Sequence, residues 1–292
     1  FEGPFLRDDL AAITLQALAT DKKGGETYLL KSLIDTGAVD ATKAKNLTEK
    51  IENYRALTRA TDAVDSVSQD TNSLTQARGT VQYAGDTMDV SFDSSTREKI
   101  VLRNGKVQLS SETKITQNGE TTESGTWIKD GWLYLYTKDG GVTAKNKVAV
   151  DDSMTDADLA EVESNQVDKV GLSAIKSISV VKDGLTSYYS VDVDASAAAF
   201  LSGILENYVD EDDKDLTSIE VSDIKVTYTV NGQGVLGAMT TSFRLKIVYA
   251  SGEFQGDPMV MDMKYTVATN ILATGNAVSI TFPDFSDYVI LN

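Results

Sequence analysis

Residues 125–140 read GTWIKDGWLYLYTKDG, and the fold turns on how this stretch is arranged. Asp130-Gly131 at its centre is a two-residue hairpin signal, because Asp and Gly tolerate the positive φ of a type I′ turn. Such a turn sets Lys129 opposite Trp132, Ile128 opposite Leu133 and Trp127 opposite Tyr134. Side chains alternate between the faces of a strand. One face therefore carries Trp127, Trp132, Tyr134 and Tyr136, and the other Ile128, Leu133 and Leu135. Burying a large apolar side chain contributes about 1.5–3 kcal/mol, so the four aromatics together reach roughly 6–12 kcal/mol. That matches the whole net stability of a domain, about 5–15 kcal/mol. Neither face is expected to stay in water: a helix layer should cover one and a different element the other.

The chain has 292 residues, 41% of them hydrophobic, enough for a substantial core in one large or two smaller domains. Its net charge of −17 argues against nucleic acid and against adsorption to anionic headgroups. No run of about 18 apolar residues suggests a membrane-spanning helix. Cysteine and histidine are both absent, which excludes disulfides, thiolate nucleophiles, imidazole bases and His- or Cys-based zinc sites. The chain opens at Phe1 without a methionine; any signal peptide or anchoring cysteine is expected upstream.

Outward from the hairpin, the periodicity divides the chain. Asp8–Thr20 opens on a capping Asp and carries Leu10, Ile13, Ala17 and Leu18 on one stripe. A second helix is expected over Glu26–Thr36, stopped by Gly37. A third runs from Ala41 to about Gln69, with Leu47, Ile51, Tyr54, Leu57, Thr61 and Val64 inward. From Arg78 the period becomes two. Turn signals at Ala84-Gly85, Asn104-Gly105, Asn118-Gly119, Asp130-Gly131 and Asp139-Gly140 read as an antiparallel meander. Its Asn118 hairpin, with Lys114 opposite Glu123, is the polar part of the sheet. Helices are expected at about 155–164 and 196–209, flanking a hairpin at Asp183-Gly184. Four apolar ladders close the chain: Ile224 to Val230, Phe243 to Tyr249, Met259 to Val267, and Val278 to Phe282. The division is thus an N-terminal helical segment, 1–74, on a sheet, 75–292, that carries the two inserted helices.

Catalytic motifs are lacking. The acidic DEDDKD run at 210–215 does not have the spacing of a calcium loop. NGQGVLG (231–237) lies between strand patterns and holds no lysine, so it reads as a hairpin loop, not a phosphate cradle. Chance alone pairs some of the 44 Asp and Glu residues, so carboxylates give no glycosidase signal. No catalytic residue, metal site or cofactor is expected, and the chain does not read as an enzyme. Two clusters have either a core or a ligand reading: the aromatics Trp127, Trp132, Tyr134 and Tyr136, and the methionines Met259, Met261 and Met263. If Trp132 is core, its truncation to alanine costs about 3–5 kcal/mol.

GTWIKDGWLYLYT (Gly125–Thr137), SYYSVDVDASAAAFLSGILENY (Ser187–Tyr208) and ITFPDFSDY (Ile280–Tyr288), in this order among helices and meanders, resemble the LolA/LppX-like bacterial lipoproteins over roughly 75–288. The resemblance implies an α+β fold in which a strongly curved antiparallel sheet, a half-barrel, holds helices on its concave face. It implies an exported protein, membrane-anchored at the bacterial cell surface, that binds a lipid or other hydrophobic ligand in a cavity between sheet and helices, without catalysis. The alternative is a cell-surface interaction or scaffold module with a fully packed core and no small ligand.

Overall fold

The computed structural model describes residues 7–23, 27–64, 68–103, 106–150, 170–194, 216–249 and 258–291. The helices expected at about 155–164 and 196–209, the Asn104-Gly105 turn and the 210–215 acidic run lie outside them.

Three helices come first: α1 (Arg7–Ala19), α2 (Leu29–Asp35) and α3 (Ala41–Asp62). Gly37 at φ 75° ends α2; its N–H donates to the Ile34 carbonyl and that of Ala38 to Leu33, which satisfies two of the helix's last carbonyls. The Asp40 carboxylate caps α3 by accepting from the Lys43 N–H. The α3 helix is shorter than expected, because the period-two pattern begins at Gln69 and not at Arg78. Nor does the inward stripe of α1 hold as expected. Leu10 and Ile13 are 55% and 49% exposed, since α1 joins the helical cluster through Leu15, Leu18 and Ala19 nearer its C-terminus.

The rest of the described residues form an open, curved, almost wholly antiparallel sheet of twelve strands with its connections. The first six are β1 (Gln69–Tyr83), β2 (Asp86–Arg103), β3 (Lys106–Gln117), β4 (Glu120–Lys129), β5 (Trp132–Asp139) and β6 (Val142–Ala149). The others are β7 (Ile175–Asp183), β8 (Thr186–Val193), β9 (Leu216–Val230), β10 (Leu236–Tyr249), β11 (Met259–Thr274) and β12 (Val289–Ile290). Their spatial order is 12-6-5-4-3-2-1-11-10-9-8-7. Two meanders are thus joined side by side through β1 and β11, and the two-residue β12 returns to pair in parallel with β6. Asn118 and Asp130 adopt positive φ beside Gly119 and Gly131, as the hairpin turns require. The turn between β5 and β6 is Gly140-Gly141, one residue later than expected, because Asp139 pairs with Val142.

One face of the sheet is the main core. Ile224, Val226, Tyr228 and Val230 of β9 meet Phe243, Leu245 and Ile247 of β10 and Met263 and Tyr265 of β11 there. A bulge extends this ladder. Asp223 sits at φ 54°, and two β9 residues stand against Phe243 alone. The slip brings Ile219 and Val221 onto the same face as Ile224. Leu57, Ala60 and Val64 from α3 and its C-terminal end join this cluster with Val191 and Tyr228, so α3 covers the β7–β9 end of the core face. Between α3 and the strands, around Tyr54, Leu57, Val191 and Tyr228, the free space is about 10 Å³, room for about one water.

The last ladder departs from expectation. Val278, Ile280 and Phe282 form no strand; residues 278–288 are a strap between β11 and β12 that ends in a turn, where the Tyr288 N–H donates to the Phe285 carbonyl. Alternation alone does not separate a paired strand from an extended segment lying across a sheet, because both present successive side chains to opposite sides.

At the join of the two meanders, Gly79 on β1 faces Met263 on β11. A Cβ at Gly79 would stand 2.0 Å from the Asp262 carbonyl oxygen and 2.8 Å from the Met263 sulfur. Glycine there admits the close backbone approach. Gly79→Ala should lower stability by about 1–3 kcal/mol, read from urea unfolding; an unchanged midpoint would show that the strands separate to admit the methyl group.

Candidate functional site

Strand register carries the other face of the hairpin across five strands. Arg97 on β2 stands opposite Glu112 on β3, Glu112 opposite Gly125 on β4, Gly125 opposite Tyr136 on β5, and Tyr136 opposite Lys145 on β6. One neighbouring row holds Lys99, Ser110, Trp127, Tyr134 and Lys147, and the other holds Ser95, Lys114, Glu123 and Lys138. Side chains within such a row share one face of the sheet. Gly125 leaves a gap in its row, and the Trp127 indole fills it: a Cβ on Gly125 would stand 2.1 Å from the indole Cη2.

The strap crosses this face. From β11 to β6 it spans six strand spacings, roughly 29 Å at about 4.8 Å each. Its contacts mark the route. The Lys99 ammonium on β2 donates to the Ser279 carbonyl. Lys129 on β4 lies over the Phe282 ring at 5.3 Å. Phe285 stacks on Tyr134 of β5 with ring centroids 3.7 Å apart and planes 13° from parallel. Trp127 meets Phe285 at 5.8 Å and Tyr288 edge-on at 6.5 Å, geometries that aromatic quadrupoles favour. At β6, the Lys145 ammonium donates to the Asp287 carboxylate at 2.6 Å and sits 5.7 Å from the Tyr288 ring centroid. Among the described residues, the aromatic face is therefore covered by the chain's own C-terminal segment and not by a helix.

The electrostatics follow from these contacts. The hydrogen bond to Asp287 holds the Lys145 pKa above the ordinary lysine value. Burial pushes the Tyr288 hydroxyl up, which keeps it neutral. The backbone N–H of Ser286 and its hydroxyl both donate to Asp284 and lower that carboxyl's pKa. The Trp127 indole N–H is buried and has no acceptor among the described residues.

Between sheet and strap lies a half-open cleft of about 460 Å³, within the roughly 300–1,000 Å³ usual for small-molecule sites. Arg97, Glu112, Lys114 and Tyr136 line it from the strands, and Trp127 and Tyr288 wall it. Three cations, Arg97, Lys114 and Lys145, and three carboxylates, Glu112, Glu123 and Asp284, border it. Arg97 is held by Asp70 at 2.7 Å, as Lys145 is by Asp287. Glu112 and Lys114 make no ion pair among the described residues.

The structure does not bring together the seven residues singled out in the sequence. Trp127 and Tyr136 line the cleft. Tyr134 lies under Phe285, and Trp132 is half-buried with Lys147 5.4 Å from its ring; neither reaches the cleft. Met263 is 2% exposed in the main core, and Met261 packs against that core. Register puts these two methionines on the face opposite the aromatics; Met259, half-buried at the start of β11, pairs with Tyr249 and does not line the cleft either. Sequence reasoning missed the charged floor and the strap wall. The available signals were Gly125, a glycine within a strand pattern, and the cross-strand rows set by the Asn118 and Asp130 turns. Among the described residues no cluster of three or more acidic side chains is placed to hold a metal ion, and no helix is long and apolar enough to cross a membrane.

No family model matches the sequence, and no curated protein does. Among solved structures, the ywiB protein from Bacillus subtilis is 9% identical over 73% of this chain and 98% of that one, at a TM-score of 0.17. A DUF1329 family protein from Desulfovibrio piger is 14% identical over 75% of this chain and 90% of that one, at a TM-score of 0.19. At these scores neither likeness bears on fold or ligand.

The two tryptophans should separate in a truncation experiment. Trp127 is 5% exposed beneath the strap, so Trp127→Ala should cost about 3–5 kcal/mol in chemical denaturation. Trp132→Ala should cost less than half as much, because that residue is only half-buried. Equal losses would contradict the burial described here.

Proposed function

We propose that this protein is a non-catalytic binding module that seats a small polar ligand with apolar faces in the cleft under its C-terminal strap. The observation that supports this reading is the juxtaposition of Trp127, Tyr136 and Tyr288 with three cations and three carboxylates around one half-open volume of about 460 Å³. Aromatic walls give contact area, and charged groups fix orientation by hydrogen bonds. A long acyl chain suits the cleft poorly, since it would desolvate Glu112 and Lys114 without offering either a partner.

The same reading places the protein outside the cytoplasm, anchored at the bacterial surface through an upstream segment, with the sheet as a half-barrel and helices on its concave side. Support comes from the sequence resemblance and from the charge of −17, which disfavours nucleic acid. A second reading is an interaction module without a small ligand, favoured by the closed interface beneath α3.

Amide chemical-shift mapping separates the two. A deproteinised small-molecule extract of bacterial envelope, added to labelled protein, should shift amides near Ser95–Arg97, Glu112–Lys114, Glu123–Trp127 and Asp284. Shifts confined to the α3 side, or none, would rule out the cleft and favour the interaction module.

A further inference from the structure

We propose that the ligand of this cleft is a neutral glycan, an inference that rests on the cleft being the binding site. The charge arrangement motivates it. Three cations and three carboxylates border the cleft, and three of the six are already paired with groups that do not line it: Arg97 with Asp70, Lys145 with Asp287 and Glu123 with Lys138. The groups left without an ion pair among the described residues, Lys114 against Glu112 and Asp284, hold both signs, so a ligand of either charge meets a like charge beside any opposite one. The chain's own charge of −17 further repels acidic ligands. What the cleft offers is hydrogen-bonding groups beside the half-buried Tyr136 ring and the small parts of Trp127 and Tyr288 left exposed.

A sugar ring matches that combination. Its C–H faces are weakly positive and lie against the negative faces of aromatic rings. Its rim of hydroxyls both donates and accepts. The Glu112 carboxylate accepts from such hydroxyls, and the Lys114 ammonium donates to them, as charge-assisted bonds stronger than neutral ones. The rows across the strands set these groups side by side. Glu112 stands next to Gly125, whose place the Trp127 indole takes, and Tyr136 follows on the next strand. The ring contacts and the hydroxyl partners therefore face one volume. The cleft is half-open, which lets a chain of several sugars extend beyond the residue held in it.

The test uses the Trp132→Phe protein, in which Trp127 is the sole tryptophan. Maltohexaose, cellohexaose and chitohexaose are titrated separately, and Trp127 emission is followed. At least one should give a saturable change. Glu112→Gln should weaken binding about ten-fold, the loss expected from one charge-assisted hydrogen bond. Tyr136→Ala should do the same, while Tyr136→Phe, which keeps the ring, should bind as the parent does. Glu112 is exposed and unpaired among the described residues, so its variant remains decisive if Tyr136→Ala fails to fold. No change with any of the three sugars, or a change that Glu112→Gln leaves untouched, overturns the glycan assignment. Tri-alanine and lysophosphatidylcholine below its micelle concentration are titrated in parallel. If either binds with the Glu112 and Tyr136 dependence while the sugars do not, the glycan class falls and the cleft stands. If nothing binds, both fall.

Discussion

The stacking of Phe285 on Tyr134, with Trp127 closed in beneath Tyr288, is the contact on which the arrangement of this sheet's second face depends. Four large aromatics on one hairpin face cannot be left in water without forfeiting free energy comparable to a domain's net stability. The chain meets that constraint with its own C-terminal segment. Leaving β11 at the centre of the sheet, the segment crosses β1 to β5 and ends as a two-residue strand on β6. So short a pairing is weak by itself. The ring contacts and the Lys145–Asp287 ion pair hold the strap, and the ion pair, being partly exposed, adds little.

This gives the sheet two differently covered faces. The core face at β7–β9 takes α3, and little space remains between them. The strap face at β2–β6 takes an extended segment, which has no breadth to fill what it spans. A helix lays a wide apolar stripe on a sheet; a strap contributes one ring at a time. The cleft follows from that difference. Its floor of Arg97, Glu112 and Lys114 continues the polar rows of the Asn118 hairpin, and its wall is where the strap's aromatics end.

Local features were legible in the sequence. Two-residue turns at Asn118-Gly119 and Asp130-Gly131 fixed registers that the structure reproduces, because positive φ is a property of the residues themselves. The Gly37 stop and the ladders of β9 to β11 were read for similar reasons. Long-range placement was not legible. Val278, Ile280 and Phe282 alternate as a strand would, yet they cross strands and do not pair. Trp127 and Met263 each had a core or a ligand reading, but which face each occupies follows from the pairing of β1 with β11, far apart in sequence. Leu10 and Ile13 keep helical spacing without a neighbour to cover them among the described residues.

The most direct test of this account is a nuclear Overhauser measurement between ring protons on the strap and on the hairpin. Cross-peaks are expected between Phe285 and Tyr134 and between Tyr288 and the Trp127 indole. Narrow, rapidly averaging ring signals for Phe285 and Tyr288 with no cross-peak to the hairpin would contradict it, and with it the existence of a walled cleft.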